Sequence, residues 1–302
     1  MKLTRKQFLK SGALITGGLI LPGFKFYNPF QEQTYQFTTI RNNIGIFTER
    51  GGTIGWYATN DALVVIDSQY PETAKNLVVG LKQKTSRKID LLFNTHHHGD
   101  HTAGNLYLKD FANKIVAHEN CKVFQEKAYG GNPEKPQAYP TATFSNSWSE
   151  DIGKDKVTAR YFGAAHTGGD SVIHFENANI AHVGDLVFNQ TYPFIDPNGG
   201  GAVKLWPEVL EKIAAHFDND TTFIFGHSIS NDLLIGKRQD LLAMKNYLNI
   251  LVEFVEKEIK AGKTKEEIGA AAEIPGYADL KERWQGARKM NLDRTYDELI
   301  KK

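Results

Sequence analysis

The chain has 302 residues, 41% of them hydrophobic and 24% charged, with a formal net charge of +1. That length suits one large α/β domain with appendages, and near-neutrality excludes a basic field that would recruit nucleic acid or an anionic membrane surface. A single cysteine, Cys121, excludes an intramolecular disulfide and reads as an inert thiol.

The N-terminus carries Lys2, Arg5, Lys6 and Lys10, then the apolar stretch Ser11–Leu21 and Pro22-Gly23. An apolar run of that length fits a signal peptide better than a membrane span. Thr4–Lys10, T-R-K-Q-F-L-K, resembles a twin-arginine export signal with Lys6 in place of the second arginine. Residues 1–25 are therefore expected to form an export signal or N-terminal anchor directing the protein to the periplasm. Any membrane contact would run through them alone. An amphipathic helix of a cytoplasmic protein is the competing reading. No A-x-A site marks a cleavage point, so removal and retention both fit.

The folded chain is predicted to begin near Tyr35. Tyr35–Ile40 and Ile44–Thr48 are strand-like around the turn residues Arg41–Asn43, and Ile54–Thr59 and Ala62–Ile66 follow, the last ending at Asp67. Pro71 opens a helix with Ala74, Leu77, Val78 and Leu81 on one face. Ile89–Asn94, I-D-L-L-F-N, reads as a buried strand that runs into Thr95–His101, T-H-H-H-G-D-H. Alternate side chains of an extended segment point the same way, so His96 and His98 can reach one metal while His97 points away. Gly99 permits a sharp turn, which aims Asp100 and His101 at a second metal. Imidazole and carboxylate ligands on a rigid strand end suit zinc.

Downstream, Leu106–Phe111 suggests a helix, Ile115–Ala117 a strand, and His118 the start of a surface helix. Ala128–Ser149 is rich in Gly, Pro, Asn and Thr and is expected to be one long loop that forms part of a pocket rim. Three more strand-to-loop junctions carry polar motifs: G-A-A-H-T-G-G-D-S at Gly163–Ser171, I-A-H-V-G-D-L-V-F at Ile180–Phe188, and F-I-F-G-H-S at Phe223–Ser228.

Taken with Asp67 and the histidine stretch, these motifs resemble, in order, the metallo-β-lactamase superfamily of binuclear metallohydrolases, from about Phe37 to Asp232. The resemblance implies an α/β fold, a four-layer αββα sandwich. It implies a first metal on His96, His98 and His166, a second on Asp100, His101 and His227, and Asp185 bridging them. Asp67 would support the metal-binding loop or be a plain strand-end acid. Thr167, Asp170 and Ser171 are either partners that orient metal-bound imidazoles or polar turn residues, and His182 is expected to be packed. Two metals about 3.5–4 Å apart can share a hydroxide and generate it near neutral pH. Asp100 would be the catalytic residue that orients this hydroxide and passes its proton to the leaving group. The expected cofactor is two Zn2+ per chain, with iron and manganese also matching the ligand types. The implied activity is hydrolysis of a small-molecule ester, thioester, lactone or lactam.

Some features narrow this reading. Cysteine-containing β-lactamases of the superfamily carry a lysine shortly after that cysteine, whereas Leu186–Asn189 after Asp185 holds no cation, which argues against specialised carbapenem hydrolysis. β-Lactam hydrolysis is retained as an alternative, as is a non-hydrolytic metal-binding or redox protein of the same fold. Thr191–Trp206 either walls the substrate pocket with Tyr192, Phe194 and Trp206 or is a connecting loop with buried aromatics. The remainder is helical: Val209–His216, Asp240–Lys260, a capping box at Thr264 and Glu267, and later helical stretches holding Trp284 and Tyr296. This predicts a hydrolase domain over residues 35–235 and a C-terminal helical extension over 236–302 packed on it.

Overall fold

The strand Leu63–Ile66 shows how the layers of this protein form in a computed structural model that describes residues 35–301. All four of its residues are buried, but alternate side chains leave opposite faces of a strand. Val64 and Ile66 join a cluster with Ile173, Phe175 and Ile224, which lies between two sheets. Leu63 and Val65 join Ala74, Leu77 and Leu81, which lie between a sheet and a helix. The expected export segment, residues 1–25, lies outside the described residues.

The first sheet takes its strands in chain order: β1 (Gln36–Arg41), β2 (Ile44–Thr48), β3 (Ile54–Ala58), β4 (Leu63–Ile66), β5 (Leu91–Phe93), β6 (Ile115–His118) and β7 (Ala142–Phe144). Pairing is antiparallel as far as β4 and parallel thereafter, with Val64 opposite Leu91 and Ile66 opposite Phe93. The crossover between β4 and β5 is α1 (Pro71–Lys82), whose buried Ala74, Leu77, Val78 and Leu81 form the stripe predicted for it. Short helices α2 (Gly99–Thr102) and α3 (Asn105–Leu108), then α4 (Glu119–Tyr129), complete this half.

The second sheet contains β8 (Ser147–Ile152), β9 (Asp155–Tyr161), β10 (Ser171–Phe175) and β11 (Ile180–His182), followed by β13 (Thr222–Ile224) and β15 (Ile235–Gly236) at its far edge. A separate parallel pair joins β12 (Phe188–Asn189) to β14 (His227–Ser228). The outer face of the second sheet is covered by α5 (Trp206–His216), α6 (Arg238–Lys260) and α8 (Ala287–Ile300). Phe223 and Ala181 from the sheet share one core there with Ile213, Leu241, Leu248 and Leu292 from the helices. The layers are thus helix, sheet, sheet, helix. The C-terminal helices belong to the outermost layer, and α7 (Lys265–Gly269) opens on the expected capping box of Thr264 and Glu267.

Three sequence expectations need correction. Ala128–Ser149 is not one loop: it supplies β7 and the start of β8, and only its first part, through Gln137, lines the pocket rim. Strand β7 is specified by its parallel partner β6, Val116 opposite Ala142, a non-local contact with no local periodicity. The helix expected over Leu106–Phe111 shortens to α3. Trp284 precedes α8, because Gly286 turns at φ 85° and the Glu282 carboxylate accepts from the backbone N–H of Gly286 and Arg288, so the helix starts only at Ala287.

Strands β4, β5, β11 and β13 are followed within three residues by Asp67, the histidine stretch, Asp185 and His227. The two sheets are stitched together at these ends. Thr53 N–H donates to Gly226 O at 2.9 Å and Ser171 N–H to Thr95 O at 2.8 Å. Residues far apart in sequence are thereby brought to one edge of the sandwich.

Candidate metal centre

All seven expected ligands meet at that edge. Atoms of His96, His98, His166 and Asp185 lie within 4.8 Å of one another, and so do those of Asp100, His101 and His227. In the first group His96 Nε2 stands 3.1 Å from His98 Nδ1, His98 Nδ1 3.0 Å from His166 Nε2, and His166 Nε2 3.3 Å from His96 Nε2.

The outer nitrogens decide what the inner ones are. His166 Nδ1 is 2.6 Å from Phe194 O, and a carbonyl only accepts, so Nδ1 carries the proton. His98 Nε2 donates to Asp196 Oδ2 at 2.9 Å. The Thr95 hydroxyl gives its one proton to Asp67 Oδ2 at 2.7 Å, so at 3.0 Å from His96 Nδ1 it accepts. Each ring in its neutral form therefore turns a lone pair inward. Burial holds His96 well below the ordinary histidine pKa and lowers His166 to about 3, so neither is relieved by a proton. Three converging lone pairs cannot hydrogen-bond to one another, but they suit a cation. Nitrogens bound tetrahedrally at about 2.0–2.1 Å would stand roughly 3.3–3.4 Å apart, close to the spacing seen.

The second group is built differently. His101 Nδ1 donates to the buried Asp67 Oδ2 at 2.7 Å. Its Nε2 faces Asp185 Oδ1 at 3.1 Å, His227 Nε2 at 3.4 Å and Asp100 Oδ2 at 3.7 Å. His227 Nε2 lies 3.0 Å from Asp100 Oδ2. Asp185 joins the groups. Its Oδ2 is 3.5 Å from both His166 Nε2 and His227 Nε2 and 3.8 Å from His96 Nε2. Its Oδ1 is close enough to His101 for an ion pair yet out of line for a hydrogen bond. Burial pushes the Asp185 pKa up, but His227 and His101 pull it well below the usual carboxylate range. Burial likewise opposes protonation of His101, but Asp185, Asp100 and Asp67 raise its pKa well above the ordinary value. Two glycines make room: a Cβ on Gly226 would lie 2.0 Å from Asp185 Oδ1, and one on Gly52 2.1 Å from the His101 ring.

Asp67 proves to be a support for the histidine loop. Besides His101 it accepts from Thr95 N–H at 2.8 Å. Asp170 closes the turn after His166 by accepting from Thr167 N–H at 2.7 Å and from its hydroxyl at 2.6 Å, without touching a histidine. His182 is packed, donating to Thr53 O and accepting from Gly184 N–H. His97 points away, its Nε2 3.5 Å from Asp196 Oδ2.

The site forms the floor of a cavity of about 1020 Å3 with apolar and aromatic walls that include Tyr70, Leu106, Phe124, Tyr129, Phe194 and Trp284. Of the three aromatics expected in the wall, only Phe194 lines it. Tyr192 and Trp206 are corrected to core positions, 1% and 0% exposed. Trp206 opens α5 and its Nε1 donates to Leu186 O with the ring against His166, while Tyr192 packs against Tyr247 of α6. Sequence reasoning missed Asp196, although its carboxylate stands two residues after Phe194. It also missed Arg283 and Trp284, which enter the cavity from the C-terminal extension.

A sandwich of this topology, with seven histidine and aspartate side chains placed at one edge where they could hold metal, defines a metal-dependent hydrolase. The chain belongs to the metallo-beta-lactamase superfamily, whose family model matches residues 47–227. It is 24% identical over 229 residues to a "Metallo-beta-lactamase type 2" from Elizabethkingia meningoseptica, covering 76% of this chain and 85% of that one. Among solved structures it resembles a double mutant of the sec-alkyl sulfatase PisA1, with a TM-score of 0.68 and 15% identity over 87% of this chain. It spans 50% of the length of that sulfatase. A metallo-beta-lactamase from Pontibacter korlensis superposes with a TM-score of 0.58 and 18% identity, over 71% of this chain and 99% of that one.

Proposed function

We propose that the protein is a two-metal hydrolase, loaded with zinc, that cleaves a small ester, thioester, lactone or lactam. The observation that carries this is the division of six ligands into two groups joined by Asp185 beneath one cavity. Metal ions held there would supply a nucleophilic water at neutral pH and a Lewis acid for the substrate's carbonyl oxygen. Asp100 faces the cavity and is 27% exposed, whereas Asp185 is 3% and His227 8%. Burial pushes its pKa up, but His101 and His227 hold it well below the usual carboxylate range, so it is ionised and able to accept a proton. It then returns that proton to the leaving group. The aromatic walls exclude water around the scissile bond and orient an apolar substrate. Export to the periplasm through residues 1–25 belongs to the same proposal and rests on the sequence alone.

The test is metal content and turnover on one purified sample, wild type beside Asp100→Ala. The panel is a chromogenic cephalosporin, a lactone, a thioester and a phosphodiester. Two metals per chain, with turnover of a carbonyl substrate reduced about 10²–10⁴-fold in the variant, is the expected result. Two metals and phosphodiester turnover alone would overturn the substrate class.

β-Lactam hydrolysis is the second reading, and one observation favours it beyond the similarity to a β-lactamase. The segment after Asp185 lacks a cation, but Lys127, Lys135 and Arg283 reach the cavity from elsewhere. Lys127 is engaged with Asn198 O, whereas Arg283 makes no hydrogen bond or ion pair among the described residues. A substrate carboxylate would find its partner there. Arg283→Met is expected to raise KM about fivefold for carboxylate-bearing substrates and to leave neutral esters unchanged. Equal effects on both would remove Arg283 from substrate recognition.

A further inference from the structure

We propose that the C-terminal helix α8 is a positioning element of the metal centre, with Asn291 and Arg294 setting the geometry of His166 and His98 from outside the site. The inference rests on the metal-binding reading above and concerns what keeps its three-histidine half in place.

Three consecutive backbone carbonyls carry the argument. Pro193 O accepts from Asn291 Nδ2 at 2.8 Å, Phe194 O accepts from His166 Nδ1 at 2.6 Å, and Ile195 O accepts from Arg294 Nη1. The carbonyl that selects the His166 tautomer is thus flanked on both sides by carbonyls held from α8. Asn291 and Arg294 are three residues apart and so share a face of the helix. The next residue, Asp196, holds His98 Nε2 at 2.9 Å. One tetrapeptide, Pro193–Asp196, therefore faces α8 with two of its carbonyls and two metal-site histidines with the other groups.

The anchoring is built for precision. Asn291 is fully buried, and its Oδ1 accepts from the Tyr247 hydroxyl at 2.9 Å, which fixes the direction of its amide. The Arg294 guanidinium also lies 4.3 Å over the Phe194 ring. Glu298, a turn further on, accepts from the N–H groups of Val203 and Lys204 at 2.8 and 3.0 Å, and Thr191 donates to Lys281 O at 2.7 Å. The loop is thereby clamped at both ends as well as at its centre. A loop without secondary structure of its own has no internal means of holding a carbonyl to the tolerance that an imidazole ligand needs. Partners outside the coordination sphere typically tune metal affinity by about 10- to 100-fold.

The experiment titrates Co(II) into metal-free full-length protein and follows the visible absorption, with thermal melts of the metal-free forms alongside. Wild type is compared with Asn291→Ala, Arg294→Met and the conservative Arg294→Lys. The expected result is that Asn291→Ala and Arg294→Met weaken one of two Co(II) sites about tenfold or more and shift that site's absorption bands. The other site keeps its affinity, and Arg294→Lys recovers most of the loss. Isotherms that superimpose on wild type overturn the proposal, as does equal weakening of both sites in step with a lowered melting temperature. If Asn291→Ala does not fold, the half-buried Arg294 pair decides alone. Two Co(II) sites in a wild type that hydrolyses nothing would sink the hydrolase reading and leave this inference standing, whereas a wild type without two sites would sink both.

Discussion

Asp67→Ala is expected to destabilise the metal-free protein by about 3–5 kcal/mol and to weaken metal binding by about 10- to 100-fold. The carboxylate is fully buried and accepts three hydrogen bonds, from Thr95 N–H, the Thr95 hydroxyl and His101 Nδ1. Truncation leaves the backbone N–H and the imidazole N–H buried without acceptors, at about 1–3 kcal/mol each. It also places alanine at φ 65°, a left-handed conformation that aspartate tolerates better. The consequence for the metal runs along two paths. His101 loses the acceptor that keeps its proton on Nδ1, and Thr95, free of Asp67, can turn its own proton toward His96. Denaturant unfolding of the metal-free form measures the first effect, and competition with a chelator of known affinity measures the second. Asp67→Asn preserves the shape but points an amide N–H2 at donors, and is expected to fall between wild type and alanine. Unchanged metal affinity in Asp67→Ala would show that the tautomers are set elsewhere.

Removing the metal from the wild type at neutral pH is expected to lower the melting temperature by more than about 10 °C. A ligand at a thousand times its Kd stabilises the native state by about 4 kcal/mol per site. For a domain of this size each kcal/mol moves Tm by about 2–4 °C. The two halves of the site should not contribute alike. Without metal the second group is partly relieved, because His101 gains a proton and faces Asp185, Asp100 and Asp67. In the three-histidine group burial keeps His96 and His166 neutral with their lone pairs converging. Calorimetry with a chelator, then after return of ZnCl2, measures the loss and its recovery. A melting temperature that stays put while elemental analysis shows the metal gone would mean that this arrangement is held by its hydrogen bonds alone.

The chemistry of the site was legible in the sequence because it rests on side-chain identity and local periodicity. Alternation along an extended segment was enough to pair His96 with His98 and to turn His97 away. A glycine after a buried strand was enough to mark Asp185 and His227 as residues delivered at strand ends. The same period of two, read through Leu63–Ile66, carries the sandwich, because one strand supplies both the inter-sheet core and the helix-covered face.

Other features depended on contacts that no local pattern encodes. Strand β7 exists because β6 is there to pair with it, and Tyr192 and Trp206 turned inward because Tyr247 of α6 and the Leu186 carbonyl met them in the core. The group that selects the His166 tautomer is a backbone carbonyl, Phe194 O, and every residue has one, so its identity leaves no trace in the side-chain sequence. The residues that hold it, Asn291 and Arg294, lie about a hundred positions further on, in a helix whose periodicity reports only its buried face. The sequence by itself marked the side chains that gather at the sheet edge as candidate metal ligands, through motif order and family resemblance, and marked the strand and helix faces that are buried, through their periodicity. Only the tertiary structure decided how those ligands are oriented and what walls the cavity above them, since both are set by hydrogen bonds and packing between segments that meet only when the chain has folded.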